Sequence, residues 1–160
     1  MHTEGDQVIN NHFWSYNIGP VHVVAFSTEF HYFTQYGTHQ VLNQYRWLEA
    51  DLKEANKPEN RAKHPWIITI GHRPWYVQNR KDDFLRAGNG PNMPGFEDLF
   101  YRYGVDLQFY GHEHNYERIL PIYNYKISNG SRTEPYKNPK APVYITTGSA
   151  VSGCVVVMID

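Results

Sequence analysis

The sequence predicts an α/β fold, and three observations carry that expectation. Short apolar, β-branched runs alternate along the chain with two stretches of helical periodicity. The order strand, helix, strand, helix, strand requires crossover connections and a largely parallel sheet. Two of the three strand-like runs lead directly into Gly-His, at the carboxyl ends of strands, where open α/β sheets bind their ligands.

The first run, Val21 to Thr28, follows the turn pair Gly19-Pro20 and reads as a buried strand. His39 to Lys57 reads as an amphipathic helix, because Val41, Tyr45, Leu48, Leu52 and Ala55 recur at spacings of four and three, and Asn56-Lys57-Pro58 ends it. Pro65 to Ile70 is a second buried strand and runs into Gly71-His72-Arg73-Pro74. A loop rich in Asn, Gly and Pro over residues 77–95 leads to a shorter helix with the stripe Phe96, Leu99, Phe100 and Tyr103. Val105 to Tyr110 is a third strand and runs into Gly111-His112-Glu113-His114. Beyond it, Ile119 to Ile127 and Val143 to Thr147 read as antiparallel strands separated by a polar turn at Ser128 to Arg132. No internal repeat or low-complexity tract occurs.

Composition removes several function classes. The chain has 160 residues, 41% hydrophobic, 19% charged and 16% aromatic, which excludes a disordered or collagenous polypeptide. Fifteen basic against sixteen acidic residues give a net charge of -1, so no nucleic-acid or anionic-membrane partner is expected. The single cysteine, Cys154, excludes an internal disulfide framework, and no stretch approaches the ~18 apolar residues of a membrane span.

The nine histidines are the unusual feature of the count. Glycine lets the backbone turn sharply as it leaves a strand, so a following histidine can be aimed into the crevice. Were residues 112–114 extended, His112 and His114 would point to one side with Cα atoms ~6.5 Å apart, suited to ligands on adjacent metals ~3.5–4 Å apart. His72 would supply a third imidazole from the neighbouring loop, and neutral imidazole suits zinc, iron and manganese. His22 lies within a strand, and His2, His31, His39 and His64 lie in or beside loops and helix ends, where ordinary hydrogen bonding accounts for them. Asn11-His12 pairs two ligand types, but Phe13 follows and no Gly precedes it, so no site is assigned there.

Ile70-Gly71-His72-Arg73-Pro74, then Gly111-His112-Glu113-His114-Asn115-Tyr116-Glu117-Arg118, then Tyr144-Ile145-Thr146-Thr147-Gly148-Ser149-Ala150 resemble the second half of the purple acid phosphatases, within the calcineurin-like metallophosphoesterases. The similarity spans about residues 14–150 and is nearest to the animal iron/zinc type, in which Ser27-Thr28-Glu29, Trp47-Leu48-Glu49 and Gly130-Ser131-Arg132 occur in the same order. The resemblance implies a partial metallophosphoesterase β-sandwich flanked by helices, half of a four-layer αββα architecture. Residues 1–140 would be the C-terminal half of the catalytic domain, and residues 141–160 the truncated start of the C-terminal segment.

It also implies an acid phosphatase that hydrolyses small phosphate monoesters at a dinuclear centre, ferric iron with zinc, ferrous iron or manganese. His72 and His112 would ligate the divalent metal and His114 the ferric one, acting through a water activated on the metals. Asn115, Tyr116, Glu117 and Arg118 would hold the motif loop or hydrogen-bond the ligating histidines, with Glu113 outside the metal shell. The two aspartates, the tyrosine and the asparagine that complete the family's ligand set have no counterpart here, and the match fails beyond Ala150. Met1 to Asn11 carry no signal-peptide pattern, and both ends read as cut, so the missing N-terminal half of the domain is the expected partner and the chain alone is expected to be inactive.

Two other classes of reading stand beside this one: a self-sufficient mononuclear zinc hydrolase built on the three histidines, and a non-enzymatic binding module using Phe30-His31-Tyr32-Phe33 and Tyr101-Arg102-Tyr103 as a contact patch. Asn129-Gly130-Ser131 fits the N-glycosylation pattern on a turn. Combined with the resemblance, it leads to the expectation that the full-length protein is secreted or lysosomal, an expectation with which the unpaired Cys154 sits awkwardly.

Overall fold

The computed structural model describes residues 11–77, 83–128, 130–148 and 156–158. Its centre is a seven-stranded mixed sheet. In chain order the strands are β1 (Trp14–Ile18), β2 (Val21–Ala25), β3 (Trp66–Ile70), β4 (Leu107–Tyr110), β5 (Tyr116–Ile119), β8 (Val143–Thr147) and β9 (Val156–Met158), with a separate hairpin β6 (Ile122–Tyr123) and β7 (Lys126–Ile127). The helices are α1 (His39–Ala55), α2 (Pro58–Arg61), α3 (Asp83–Ala87) and α4 (Glu97–Arg102). The spatial strand order is β1-β2-β3-β4-β8-β5-β9. β2, β3 and β4 are parallel, as the alternation of strands and helices predicts, and β1 joins antiparallel. The antiparallel expectation for Val143 to Thr147 holds only on one side: β8 is antiparallel to β5 but extends the parallel sheet beside β4, because the long connection from β5 carries the chain back to the start of the sheet before β8 begins.

Several boundaries differ from the sequence reading, each for a local reason. β2 stops at Ala25 because buried Gln44 binds the backbone of Ser27 twice, accepting from its N–H and donating to its carbonyl, both at 2.7 Å, which pulls the chain out of the sheet. Ile119 to Ile127 is not one strand: β5 ends at Ile119, Pro121 intervenes, and Asn124 and Tyr125, both at positive φ, make the two-residue turn of the β6–β7 hairpin. β1, α2 and α3 have no counterpart among the elements that the sequence pattern predicts. α1 ends as expected, with Asn56 Nδ2 donating to the carbonyls of Leu52 and Tyr103 and Pro58 opening α2.

Alternation divides the sheet into two unlike faces. His22, Val24, Ile67, Thr69, Gln108, Tyr110, Tyr144 and Thr146 face the helices and are all buried. There they meet Leu48 and Leu52 of α1, Leu85 of α3 and Leu99 and Phe100 of α4. Much of the aromatic surplus is spent here: Phe26 packs edge-on against Phe96 and Phe100 at 5.0 and 5.2 Å, and Trp75 against Tyr110 at 5.2 Å. The opposite face carries Trp14, Tyr16 and Ile18, then Val21, Val23 and Ala25, then Trp66, Ile68 and Ile70, then Leu107 and Phe109, then Val143 and Ile145. This face is apolar across five strands, and Ile18 and Trp66 on it are 59% and 55% exposed. Among the described residues no helix is long and apolar enough to cross a membrane.

Candidate metal centre

The loops that leave β3 and β4 are hydrogen-bonded to one another. Gly71 N–H donates to the Phe109 carbonyl at 2.9 Å and Gly111 N–H to the His72 carbonyl at 3.0 Å. Gly71 is required for this approach: a Cβ there would lie 2.8 Å from the Phe26 ring and 3.0 Å from that of Tyr110. Two parallel strands therefore deliver His72 and His112 to one place. His112 Nδ1 lies 3.2 Å from His72 Nε2, with the rings 5.0 Å apart and nearly perpendicular.

His112 occupies the left-handed region at φ +59°, and Glu113 N–H donates to the Gly111 carbonyl at 2.7 Å. That is a γ-turn centred on His112, a strained conformation of the kind that concentrates at functional sites. It corrects the extended backbone assumed for residues 112–114: the motif bends, so the same-side relation of His112 and His114 does not follow from alternation. His114 is exposed at the surface of this bend. Gly148, just past β8, closes the bend from the other side; its N–H donates to the Asn115 carbonyl at 3.1 Å, and a Cβ on it would meet the Glu113 carbonyl at 2.2 Å.

Tyr116, Glu117 and Arg118 begin β5 and pair with Thr147, Thr146 and Ile145 of β8, which anchors the bend to the sheet. Arg118 also lies over the Tyr136 ring at 4.8 Å. Burial, reinforced by Glu113, raises the Glu117 carboxyl above its ordinary value. Asn115 Oδ1 is buried without a hydrogen-bond partner. Asn129, the glycosylation candidate, lies outside the described residues.

Sequence reasoning gave no role to the group behind His112. Arg73 Nη1 lies 2.9 Å from His112 Nε2. Its guanidinium is held bidentately by Glu29 at 2.8 and 3.2 Å and covers the Tyr32 ring at 4.1 Å, and its backbone N–H donates to buried Thr28 Oγ1 at 2.9 Å. Arg73 follows His72 in one motif and Glu29 closes Ser27-Thr28-Glu29 in another, but their partnership spans 44 residues and leaves no periodic trace.

The pair meets one geometric requirement of a metal site. Two imidazole nitrogens on one tetrahedral zinc at 2.0–2.1 Å lie about 3.4 Å apart, close to the 3.2 Å between His72 and His112. These two donors fit one divalent cation. Among the described residues no three His, Cys, Asp or Glu side chains gather to hold a metal, so neither a full dinuclear ligand set nor the self-sufficient three-histidine zinc site is assembled. The aromatic patch weighed for a binding module is partly spent on packing: His31 is buried, Tyr32 packs on the core, and Tyr101 stacks on Tyr123 at 3.8 Å.

Residues 4–116 match the family model for calcineurin-like phosphoesterases. The chain belongs to that family. Within it, the chain is 55% identical over 152 residues to acid phosphatase type 7 of Danio rerio, covering 88% of this chain and 34% of that protein. It is 36% identical over 140 residues to purple acid phosphatase 21 of Arabidopsis thaliana, covering 87% of this chain and 26% of that one. A solved purple acid phosphatase from yellow lupin (Lupinus luteus) seeds superposes with a TM-score of 0.58 at 26% identity, over 85% of this chain and 22% of that chain. This phosphoesterase chain thus spans about a third or less of the length of these relatives.

Proposed function

We propose that this phosphoesterase chain contributes one wall of a purple acid phosphatase active site that cleaves small phosphate monoesters. The observation that carries the reading is the His72–His112 pair, brought to 3.2 Å by adjacent parallel strands at the end of the sheet where ligands bind. His72 Nε2 and His112 Nδ1 would hold the divalent metal, zinc, ferrous iron or manganese, and exposed His114 would reach the ferric ion as the outer side of the site is completed. A bound metal pair supplies the charge that polarises phosphate oxygens and acidifies water. The chain's own contribution is rigidity: the γ-turn at His112, the cross-loop hydrogen bonds and the Gly148 contact fix where the imidazoles stand, which is what positioned catalysis requires.

The remaining donors, and the second sheet that would cover the apolar face of β1, β2, β3, β4 and β8, would come from the polypeptide that this chain lacks relative to its relatives. Two features support that reading: the face is built like the inside of a sandwich, and the chain covers 34% of the Danio rerio relative. Secretory or lysosomal residence of the whole protein, with glycan on Asn129, belongs to the same proposal; Gly130 and Ser131 beside it are exposed.

The test compares p-nitrophenyl phosphate hydrolysis by the chain alone with hydrolysis by the chain co-folded with the complementary portion of acid phosphatase type 7. The chain alone should turn over little or no substrate, and the reconstituted form should be active and lose about two orders of magnitude or more with His72→Ala or His112→Ala. An ordinary enzymatic rate and two tightly bound metals in the chain alone would refute the incomplete-site reading. Reconstituted activity indifferent to both histidines would refute the phosphatase site.

A further inference from the structure

A metal-bound imidazole ordinarily donates its distal N–H to a carboxylate, a carbonyl or water. Behind His112 stands the opposite kind of partner. The guanidinium of Arg73 has five N–H donors and no acceptor, and its Nη1 lies 2.9 Å from His112 Nε2. Nε2 must therefore accept, which puts the proton of the neutral ring on Nδ1. Nδ1 faces His72 Nε2 at 3.2 Å and donates to it. The result is a directed chain, Arg73 to His112 to His72, in which both nitrogens that face each other are already engaged.

The guanidinium is built into this position. Glu29 grips Nε and Nη2, the Tyr32 ring lies beneath it, and the Arg73 backbone is tied to Thr28, which is wholly buried. Three segments thus meet on it: the turn after β2, the loop after β3 and the γ-turn after β4. A cation held between the two rings needs the lone pairs of both His72 Nε2 and His112 Nδ1. The His112 proton would then pass through solvent to Nε2, with no net proton released, and there it would face a group that cannot accept it.

We propose that Arg73 is a positioning residue that holds His112 in the tautomer paired with His72, so that a cation enters the pair only when the His112 proton moves to Nε2 and the guanidinium gives way there. The inference rests on reading His72 and His112 as ligands of one cation. It makes Arg73 an opponent of metal loading, where a carboxylate in the same place would assist it.

Imidazole ¹⁵N spectra of the metal-free 160-residue chain test the tautomer directly. His112 should carry its proton on Nδ1 in the wild type and on Nε2 in Arg73→Gln, whose amide oxygen accepts. In a Co(II) titration followed by visible absorption, Arg73→Gln should bind about tenfold tighter than wild type, while Arg73→Lys, which can only donate, should stay within about threefold. Glu29→Gln loosens the guanidinium without removing it and should tighten binding by a smaller factor; it serves if Arg73→Gln does not fold. Wild-type His112 protonated on Nε2, or Arg73→Gln binding Co(II) no more tightly than wild type, would overturn the proposal. His72→Ala and His112→Ala, titrated alongside, separate the two readings. If neither weakens Co(II) binding, the metal reading fails, and the metal-free spectra still decide the role of Arg73.

Discussion

His31 shows how one residue carries a pH dependence that its position alone would not reveal. It is 3% exposed, donates from Nε2 to the Pro94 carbonyl at 3.0 Å and leaves Nδ1 buried without a partner. Burial lowers its pKa below the ordinary histidine value, against a weaker opposing pull from the Pro94 carbonyl. Above that ordinary value both folded and unfolded chains hold a neutral ring and nothing is lost. As the pH falls through it, the unfolded chain binds a proton that folded His31 refuses, so stability drops. Glu117, with its carboxyl raised by burial, works in the opposite direction, favouring the fold at low pH. Urea midpoints at about pH 7.5 and 5.5 should therefore lie closer together in His31→Gln than in wild type; an unchanged gap would refute the assignment. Legibility at this scale divides along the same line. His72 and His112 could be read because each follows glycine after an apolar run. The roles of His31, Arg73 and Glu29 could not, because each depends on a partner from a distant loop that local pattern does not encode.

At the scale of elements, the framework around the site is fastened by a buried carboxylate. Glu97 of α4 is 2% exposed and accepts from Arg86 of α3 at 2.7 Å, from the Asn124 backbone N–H in the β6–β7 turn at 3.0 Å, and from the Tyr76 hydroxyl in the loop after β3. Burial, and then the bond to Glu97, raises the Tyr76 phenol well above its usual value, so the proton stays on Tyr76 as a donor. Arg86 is also gripped by Asp83 and lies over the Tyr125 ring at 4.6 Å. One side chain thus joins two helices, a hairpin and a loop. Glu97→Ala leaves Arg86 buried with one carboxylate fewer and should cost about 3–5 kcal/mol in urea unfolding, whereas a loss under about 1 kcal/mol would mean that the network is not what secures these elements. The sequence hid these elements unevenly. β2, β3, β4 and α1 announce themselves through apolar runs or a stripe. β1 alternates Trp14, Tyr16 and Ile18 with Ser15 and Asn17, a period-two signal, and escapes a search for continuous apolar runs. The helix α3 is too short to show a stripe.

At the scale of the molecule, the fold class follows from alternation of runs and stripes, while the contrast between the two faces of the sheet appears only when register is known. Reading along β2, β3, β4 and β8, the residues on one face, from His22 to Thr146, are buried on the helix side, and those on the other, with Trp14, Tyr16 and Ile18 of β1, are apolar apart from Thr147 at the end of β8. Among the described residues Trp14, Tyr16, Ile18, Trp66 and Ile70 on that face are 42–59% exposed, and soluble monomers seldom leave so large an apolar surface open to water. The chain by itself should consequently bind a hydrophobic dye and self-associate. Ile18 and Trp66 lie on that face in line across β1, β2 and β3, since Ile18 pairs with Val21 and Val21 with Trp66. Replacing both with lysine puts charge on the uncovered side without touching the helix-facing core, so the far-ultraviolet circular dichroism should be retained while dye binding falls and sedimentation shifts toward monomer. In the reconstituted form the same pair of lysines should do harm, because two charges would be buried between sheets. Activity should therefore fall with the reconstituted complex in the very variant that improves the isolated chain. If the variant instead reconstitutes as well as wild type, this face is not where the complementary polypeptide sits, and the second sheet must be sought elsewhere.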